Sequence, residues 1–323
     1  LGKGWMGILF AVLMIITFGF AYNSVQSNTI CLAWQKAFGI EPATMGIVLT
    51  ALTLLIIFGG IQRVAKFSST VVPVMAVVYL LIAVGVVVWN IASLPKVLLA
   101  IVENAFGFNQ AAGGVLGVTV IQGIKRGLFS NEAGEGSAPN AAAVATVSHP
   151  VKQGLIQALG VFTDTLVVCS CTAFIILVSG VDVTASNGIQ LTQDALTHEI
   201  GSIGNPFVAV MIWLFAFSSI IGNYYYGETN VRYIRDSKLG VFIYRLAVAA
   251  MVMVGAVVSL DFAWSFADIT MALLTLCNLV AIVLLSRQAV FLLQDYRQQK
   301  KEGKNPVFSK DKMPEIADKL EAW

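Results

Sequence analysis

Between residues 122 and 143 the chain gathers groups able to bind a small charged ligand. Two cations, Lys125 and Arg126, precede two acids, Glu132 and Glu135, with the hydroxyl of Ser130 and the amide of Asn131 between them. Four glycines (Gly123, Gly127, Gly134, Gly136) and Pro139 interrupt the run, and its flanks, 111–121 and 141–147, are small and apolar. This is the pattern of a membrane helix broken near its middle. The freed backbone groups need partners, so a break is tolerated only inside protein or along a cavity. Carbonyls that end the first half suit a cation. The N–H groups and positive dipole end of the second half suit a carboxylate. Phe129 supplies an aromatic wall, while Gly134 and Gly136 let a ligand approach the backbone. The chemistry expected is capture of a small zwitterion together with a cation. A re-entrant loop or a merely kinked helix is the plainer alternative. Each charge left facing lipid would cost about 2.5–3.5 kcal/mol, so Lys125, Arg126, Glu132 and Glu135 are expected to pair with one another in whole or in part.

Further polar groups interrupt other apolar runs. Asn23 and Gln26 share a helix face, with Tyr22 four residues before Gln26, and that face either lines a polar cavity or is a hydrated helix end. Adjacent hydroxyls at Ser218 and Ser219 either back-bond to the preceding turn or offer oxygen to a hard cation. Asp164, an acid inside an apolar span, marks an ion or proton path or an internal pair. Tyr224, Tyr225 and Tyr226 read as an aromatic belt, as do Trp34, Trp89, Trp213 and Trp264 near span ends. His149 and His198 have no neighbouring ligand set and read as surface residues. Cys31, Cys169, Cys171 and Cys277 lack zinc spacing and read as packing residues. The sequence contains no phosphate-binding loop, nucleophile elbow or metalloprotease motif, so no enzyme activity and no cofactor is expected.

The elements that must position these groups are oily. Of 323 residues, 57% are apolar and 12% charged, about half the charge of a soluble domain. Apolar runs over 5–22, 43–61, 70–91, 154–179, 207–226, 239–260 and 264–285 are each about the 20 residues that a bilayer demands. With the broken stretch 111–147 they make eight passes. The first run meets no breaker before Gly39 and Pro42, so it is able to continue as one long helix to residue 38. A short external helix over 191–200 and a plain solvated loop are both open readings. Eight passes put the two chain ends on one side. Sixteen Lys and Arg residues fall on that side and only Lys36 and Lys96 on the other, which places the ends in the cytoplasm. Residues 1–290 then form a transmembrane transport domain, with its broken helix at about 113–147. Residues 291–323 form a cytoplasmic tail, a helix end followed by a flexible polar segment.

Residues 123–139, Gly-Ile-Lys-Arg-Gly-Leu-Phe-Ser-Asn-Glu-Ala-Gly-Glu-Gly-Ser-Ala-Pro, resemble the signature of the alanine or glycine:cation symporter family. Residues 18–26 and 215–228 resemble two more of its blocks. The resemblance implies an all-α polytopic membrane protein with a leucine-transporter-type fold, two five-helix inverted repeats that each open on a broken helix. It implies sodium-coupled symport of alanine or glycine by alternating access in a bacterial inner (plasma) membrane. Partners would be the amino acid, Na+ and the lipid bilayer, with H+ open as coupling ion and no nucleic acid. The spans then correspond to the third to tenth core helices, and the break at 130–134 to the broken sixth. On this reading the chain is N-terminally truncated, lacks the first two core helices and is inactive alone. Gln26 falls at the family's third-helix substrate position, joined in the substrate set by Phe129, Ser130, Asn131 and Gly134. The Phe215 carbonyl with Ser218 and Ser219 falls where the fold places a sodium site. Lys125, Arg126, Glu132, Glu135 and Asp164 are the candidate buried charges or coupling groups. A passive pore with a re-entrant polar loop is the rival reading.

Overall fold

The computed structural model describes residues 4–59, 61–105, 113–317 and 320, with side chains described except at 61–68, 70–72 and 113–119. Lys3, the 106–112 stretch where the broken span was expected to begin, and Lys319 near the chain end lie outside the described residues. All regular structure among the described residues is helical. The helices are α1 (Gly4–Phe38), α2 (Pro42–Gly59), α3 (Ile61–Trp89), α4 (Leu94–Ala105), α5 (Gly113–Asn131), α6 (Ala138–Ala142), α7 (Pro150–Ser179), α8 (Ile189–Ile200), α9 (Gly204–Ile234), α10 (Lys238–Val257) and α11 (Leu260–Lys301).

Local chemistry explains most boundaries. With no breaker before Gly39, α1 runs unbroken through Phe38. Gly39 then adopts φ 69° and its N–H bonds the Gln35 carbonyl at 2.9 Å, the left-handed stop that glycine allows. Pro42 opens α2, where its missing N–H costs nothing. Ser237 and Ser259 cap α10 and α11 with their hydroxyls. The 191–200 stretch is a helix, α8. By length and composition six helices among the described residues are able to cross a membrane, and the pair Pro73–Trp89 and Leu94–Ala105, bent by 102°, makes up to seven. The eighth expected crossing is the interrupted one, α5 with its turn and α6. These helices are those of a multi-pass membrane protein, and their outward faces are apolar: Leu81 is 67% and Val283 70% exposed.

Three apolar clusters hold the bundle. Ile30, Leu49, Ile220 and Val248 join α1, α2, α9 and α10. Met14, Phe18, Ala267 and Leu274 join α1 to α11. Ala83, Ile175, Leu196 and Val208 join α3, α7, α8 and α9. Small residues set the approach: a Cβ at Gly255 would lie 2.5 Å from the Ser24 Cα, so backbone packs directly on backbone there.

One expectation about the polar end of the bundle is corrected. His149 is not a surface residue; it is fully buried. It caps α7, with its Nδ1 accepting from the Val151 N–H at 3.2 Å, and its Nε2 lies 3.3 Å from Asp295. The cover comes from the tail, which folds back after Lys301. The Phe308 N–H donates to the Ser148 carbonyl at 2.9 Å, and the Phe308 ring packs against the His149 ring at 5.8 Å. Lys312 binds both oxygens of Asp295 at 2.7 and 2.9 Å. His198 is exposed as expected, at 65% of its side chain.

Candidate functional site

The break forms where α5 ends at Asn131. Glu132 takes φ 53°, a left-handed conformation rare for a side chain of its size, and Gly134 and Gly136 follow at φ 89° and 84°. The Asn131 side chain stabilises the turn by accepting from the Ala133 N–H at 2.9 Å. Asn278 of α11 donates to the Gly134 carbonyl at 2.8 Å. Gly136 is required sterically, since a Cβ there would meet Asn278 Oδ1 at 2.7 Å and the Phe10 ring at 2.8 Å. The second half is shorter than expected. It is the five-residue α6, and residues 143–146 are exposed without regular structure. Apolar side chains there have nothing to pack on among the described residues, and Pro150 disfavours helix just before it.

Two π-helical stretches face this turn, and neither is visible as periodicity in the sequence. Ile15–Tyr22 lies within α1 and Asp164–Cys169 within α7. Each delivers polar groups to the break. The Tyr22 hydroxyl donates to Glu135 Oε1 at 2.7 Å. Ser130 donates to Asp164 Oδ2 at 2.5 Å, and Asn131 donates to the Thr165 hydroxyl at 2.7 Å. An extra residue in a helical turn re-aims side chains and recurs at functional positions.

The expected pairing of the four charges among themselves does not occur. Lys125 and Arg126 both reach Asp268 of α11, a residue the sequence reading passed over; the Lys125 contact is 3.3 Å. Arg126 also lies 4.0 Å over the Trp264 ring, which in turn packs on Phe129 at 4.7 Å. Trp264 therefore packs behind Phe129, between it and Arg126. Glu132 accepts from Ser137 at 2.5 Å. The physical reason is geometric: the left-handed turn at Glu132 points the acids away from the helix that carries the cations.

A cavity of about 500 Å3 lies between α1, α5 and α9. It brings together six expected residues, Gln26, Phe129, Ser130, Glu132, Ser218 and Ser219, with Tyr22, Asn223 and Tyr226. Asn23 is buried beside it, its side chain accepting from Asn223 at 3.2 Å. Tyr226 packs edge-on against Phe18 at 5.1 Å, and Tyr224 is buried, so these tyrosines face inward instead of forming a belt. The Phe215 carbonyl is taken up by the Ser218 and Ser219 hydroxyls at 2.7 and 3.1 Å. This is the back-bonded arrangement, and it leaves oxygen lone pairs on both serines. Asn131, Gly134 and Asp164 do not line this cavity. They line a neighbouring cleft of about 830 Å3 between α7 and α11, which shares Ser130, Glu132 and Tyr226 with it. Glu135 lines neither space. Among the described residues no cluster of His, Cys, Asp and Glu has the make-up of a metal centre.

The model of the sodium:alanine symporter family matches residues 1–310. The chain is 54% identical over 312 residues to the Probable sodium/glutamine symporter GlnT of Bacillus subtilis, covering 96% of this chain and 65% of that protein. It is 50% identical over 323 residues to the amino-acid carrier protein AlsT of the same organism, covering all of this chain and 69% of that protein. It is 34% identical to the sodium/alanine symporter AgcS of Methanococcus maripaludis, covering 93% and 67%. The chain thus spans about two thirds of the length of these relatives. It belongs to the sodium:alanine symporter family, a family of transporters and not of enzymes.

Proposed function

We propose that the full-length protein is a sodium-coupled symporter of a small amino acid in a bacterial plasma membrane, with its C-terminus cytoplasmic and a leucine-transporter-type arrangement of helices. The observation that carries the reading is the cavity in which Gln26, Phe129, Ser130, Ser218 and Ser219 converge on a broken helix. Gln26 supplies an amide to the substrate's charged groups, Phe129 covers it, and Ser218 and Ser219 offer hydroxyl oxygen to Na+ as co-substrate. Alternating access follows if substrate and ion bind one arrangement of the break more tightly than the other. The proposed substrates are alanine and glycine. The relative named for glutamine makes that amino acid the competitor to test. The proton is the alternative coupling ion, with Asp164 and Glu132 as the acids that would carry it.

Uptake of labelled alanine, glycine and glutamine into proteoliposomes of the full-length protein tests this, with and without an inward sodium gradient at matched membrane potential. Accumulation above equilibrium only with sodium is the expected result. Simple equilibration would replace the symporter with a pore, and overshoot driven by a proton gradient alone would move coupling to the buried acids. Gln26→Ala should weaken amino-acid affinity, and Ser219→Ala should raise the sodium concentration needed for half-maximal uptake. Unchanged values would remove those residues from the site.

A further inference from the structure

The tail that folds back after Lys301 closes a space of its own. A cavity of about 250 Å3 lies between it and α11, with Arg287 and Phe291 on the helix side and Lys312, Met313, Glu315 and Ile316 on the tail side. The tail wall is held in place. Lys312 binds both oxygens of Asp295, and the Ser309 hydroxyl caps the turn that carries it. An ammonium has three donors, so Lys312 keeps one for a ligand. Arg287 is exposed and carries the planar fork that suits a phosphate. The space is smaller than one that encloses a whole drug-sized ligand, so it fits a compact charged fragment. Its depth is set by α11. Residues 269–286 carry no charged side chain and extend about 27 Å at the helical rise, close to the thickness of the hydrocarbon core. Arg287 therefore stands where the helix leaves the hydrocarbon, at the level of lipid phosphates. Below it, Leu284, Val280, Leu276 and Leu273 recur at three- and four-residue steps on the face that Arg287 and Phe291 continue, and each is more than half exposed. Two cations at phosphate depth, an acid beside them and a bare apolar stripe running down from them match three parts of one molecule: phosphate, ammonium and acyl chain.

We propose that the cavity between α11 and the tail binds the headgroup of an amine-bearing phospholipid. Arg287 and Lys312 hold its phosphate, Glu315 holds its ammonium, and an acyl chain lies along Leu284, Val280, Leu276 and Leu273. A phosphate free in solution would make no use of the apolar stripe, and a phosphoglycerol headgroup would bring no cation to Glu315. Because the tail supplies Lys312 and Glu315, the bound lipid bridges the tail to α11. The inference requires only a multi-pass membrane protein and stands whether or not the protein is a symporter.

Native mass spectrometry of the full-length protein in detergent, titrated with phosphatidylethanolamine or phosphatidylglycerol of matched chains, tests this without any transport assay. One ethanolamine lipid per chain should bind about threefold more tightly than the glycerol lipid, the margin of one partly exposed ion pair. Arg287→Ala should weaken binding of the ethanolamine lipid about tenfold. Glu315→Gln should erase the preference while leaving the glycerol lipid bound at least as tightly. Both side chains are exposed, so both variants should fold as the wild type does. Glycerophosphoethanolamine, which has the headgroup and no chains, should fail to displace the lipid at equal concentration; displacement would assign the site to a soluble phosphate compound and overturn the proposal. Equal binding of the two lipids by the wild type, or a preference for the glycerol lipid, also overturns it. So do affinities unmoved in both variants, which would leave only the lipid that surrounds any membrane protein. A negative uptake assay would sink the symporter reading and leave this result untouched.

Discussion

The broken turn at 132–137 and the tail clasp around His149 are both polar clusters, yet they are built on opposite terms. In the clasp every prominent group is partnered. Asp295 receives Lys312 on both oxygens and Gln299 at 2.9 Å. Lys152 reaches Ser148 and Asn305 at 2.6 and 2.7 Å. Gln299 both donates to and accepts from the Val307 backbone at 2.9 Å. At the turn, acids outnumber the cations that reach them, one carboxyl oxygen is orphaned, and a non-glycine residue is held left-handed. A fully satisfied network specifies one arrangement, whereas a partly satisfied one changes when a proton or ligand supplies what is missing. The clasp is thus built to stay, holding the ends of α7 and α11 that flank the larger cleft. The turn between them is built to change.

Removing the counter-charge beside the turn should have the largest effect. Asp268→Asn strands Lys125 and Arg126 and should cost about 3 kcal/mol, the low end for a broken buried pair because both cations are partly exposed. Thermal unfolding of the purified full-length protein checks this. A loss under about 1 kcal/mol would mean the pair is solvated like an ordinary surface bridge. Gly136→Ala comes next. A Cβ there meets Asn278 and Phe10 as well as an unfavourable backbone conformation, so about 2–3 kcal/mol is expected, read in the same melt.

The clasp should yield more gently and locally. Phe308→Ala removes the buried ring that covers His149 and should favour tail opening by about 2 kcal/mol, seen as roughly 30-fold faster tryptic cutting near Lys304 with the main melting transition nearly unmoved. If the main transition fell with it, the clasp would be part of the bundle's cooperative core. The smallest effect should come from Gly303→Ala. Gly303 is also left-handed, at φ 72°, but nothing lies within 4 Å of a Cβ there, so only backbone strain of about 1 kcal/mol is expected. Equal costs at Gly136 and Gly303 would erase the distinction between a turn wedged into its neighbours and a free one.

The sequence by itself determined the class of protein and the position of the break, and it pointed to Gln26, Phe129, Ser130, Ser218 and Ser219 among the residues that line the cavity, but not to Asn223 or Tyr226. Apolar run length and the lack of charge dictate helices in a bilayer, and a glycine-rich polar interruption in one of them is legible without coordinates. The continuous helix through Phe38 was equally legible, because no breaker stands before Gly39. What only the tertiary structure decided is which groups meet. Asp268 lies 142 residues from Arg126, Tyr22 lies 113 from Glu135, and Phe308 lies 159 from His149; no local pattern links such partners. The two π-helical stretches are likewise invisible to a 3.6-residue periodicity. Secondary structure follows from interactions within a few residues, which a sequence displays. The protonation, pairing and burial of a polar side chain depend on charges and cover brought from distant helices, and those are fixed only when the bundle closes around them.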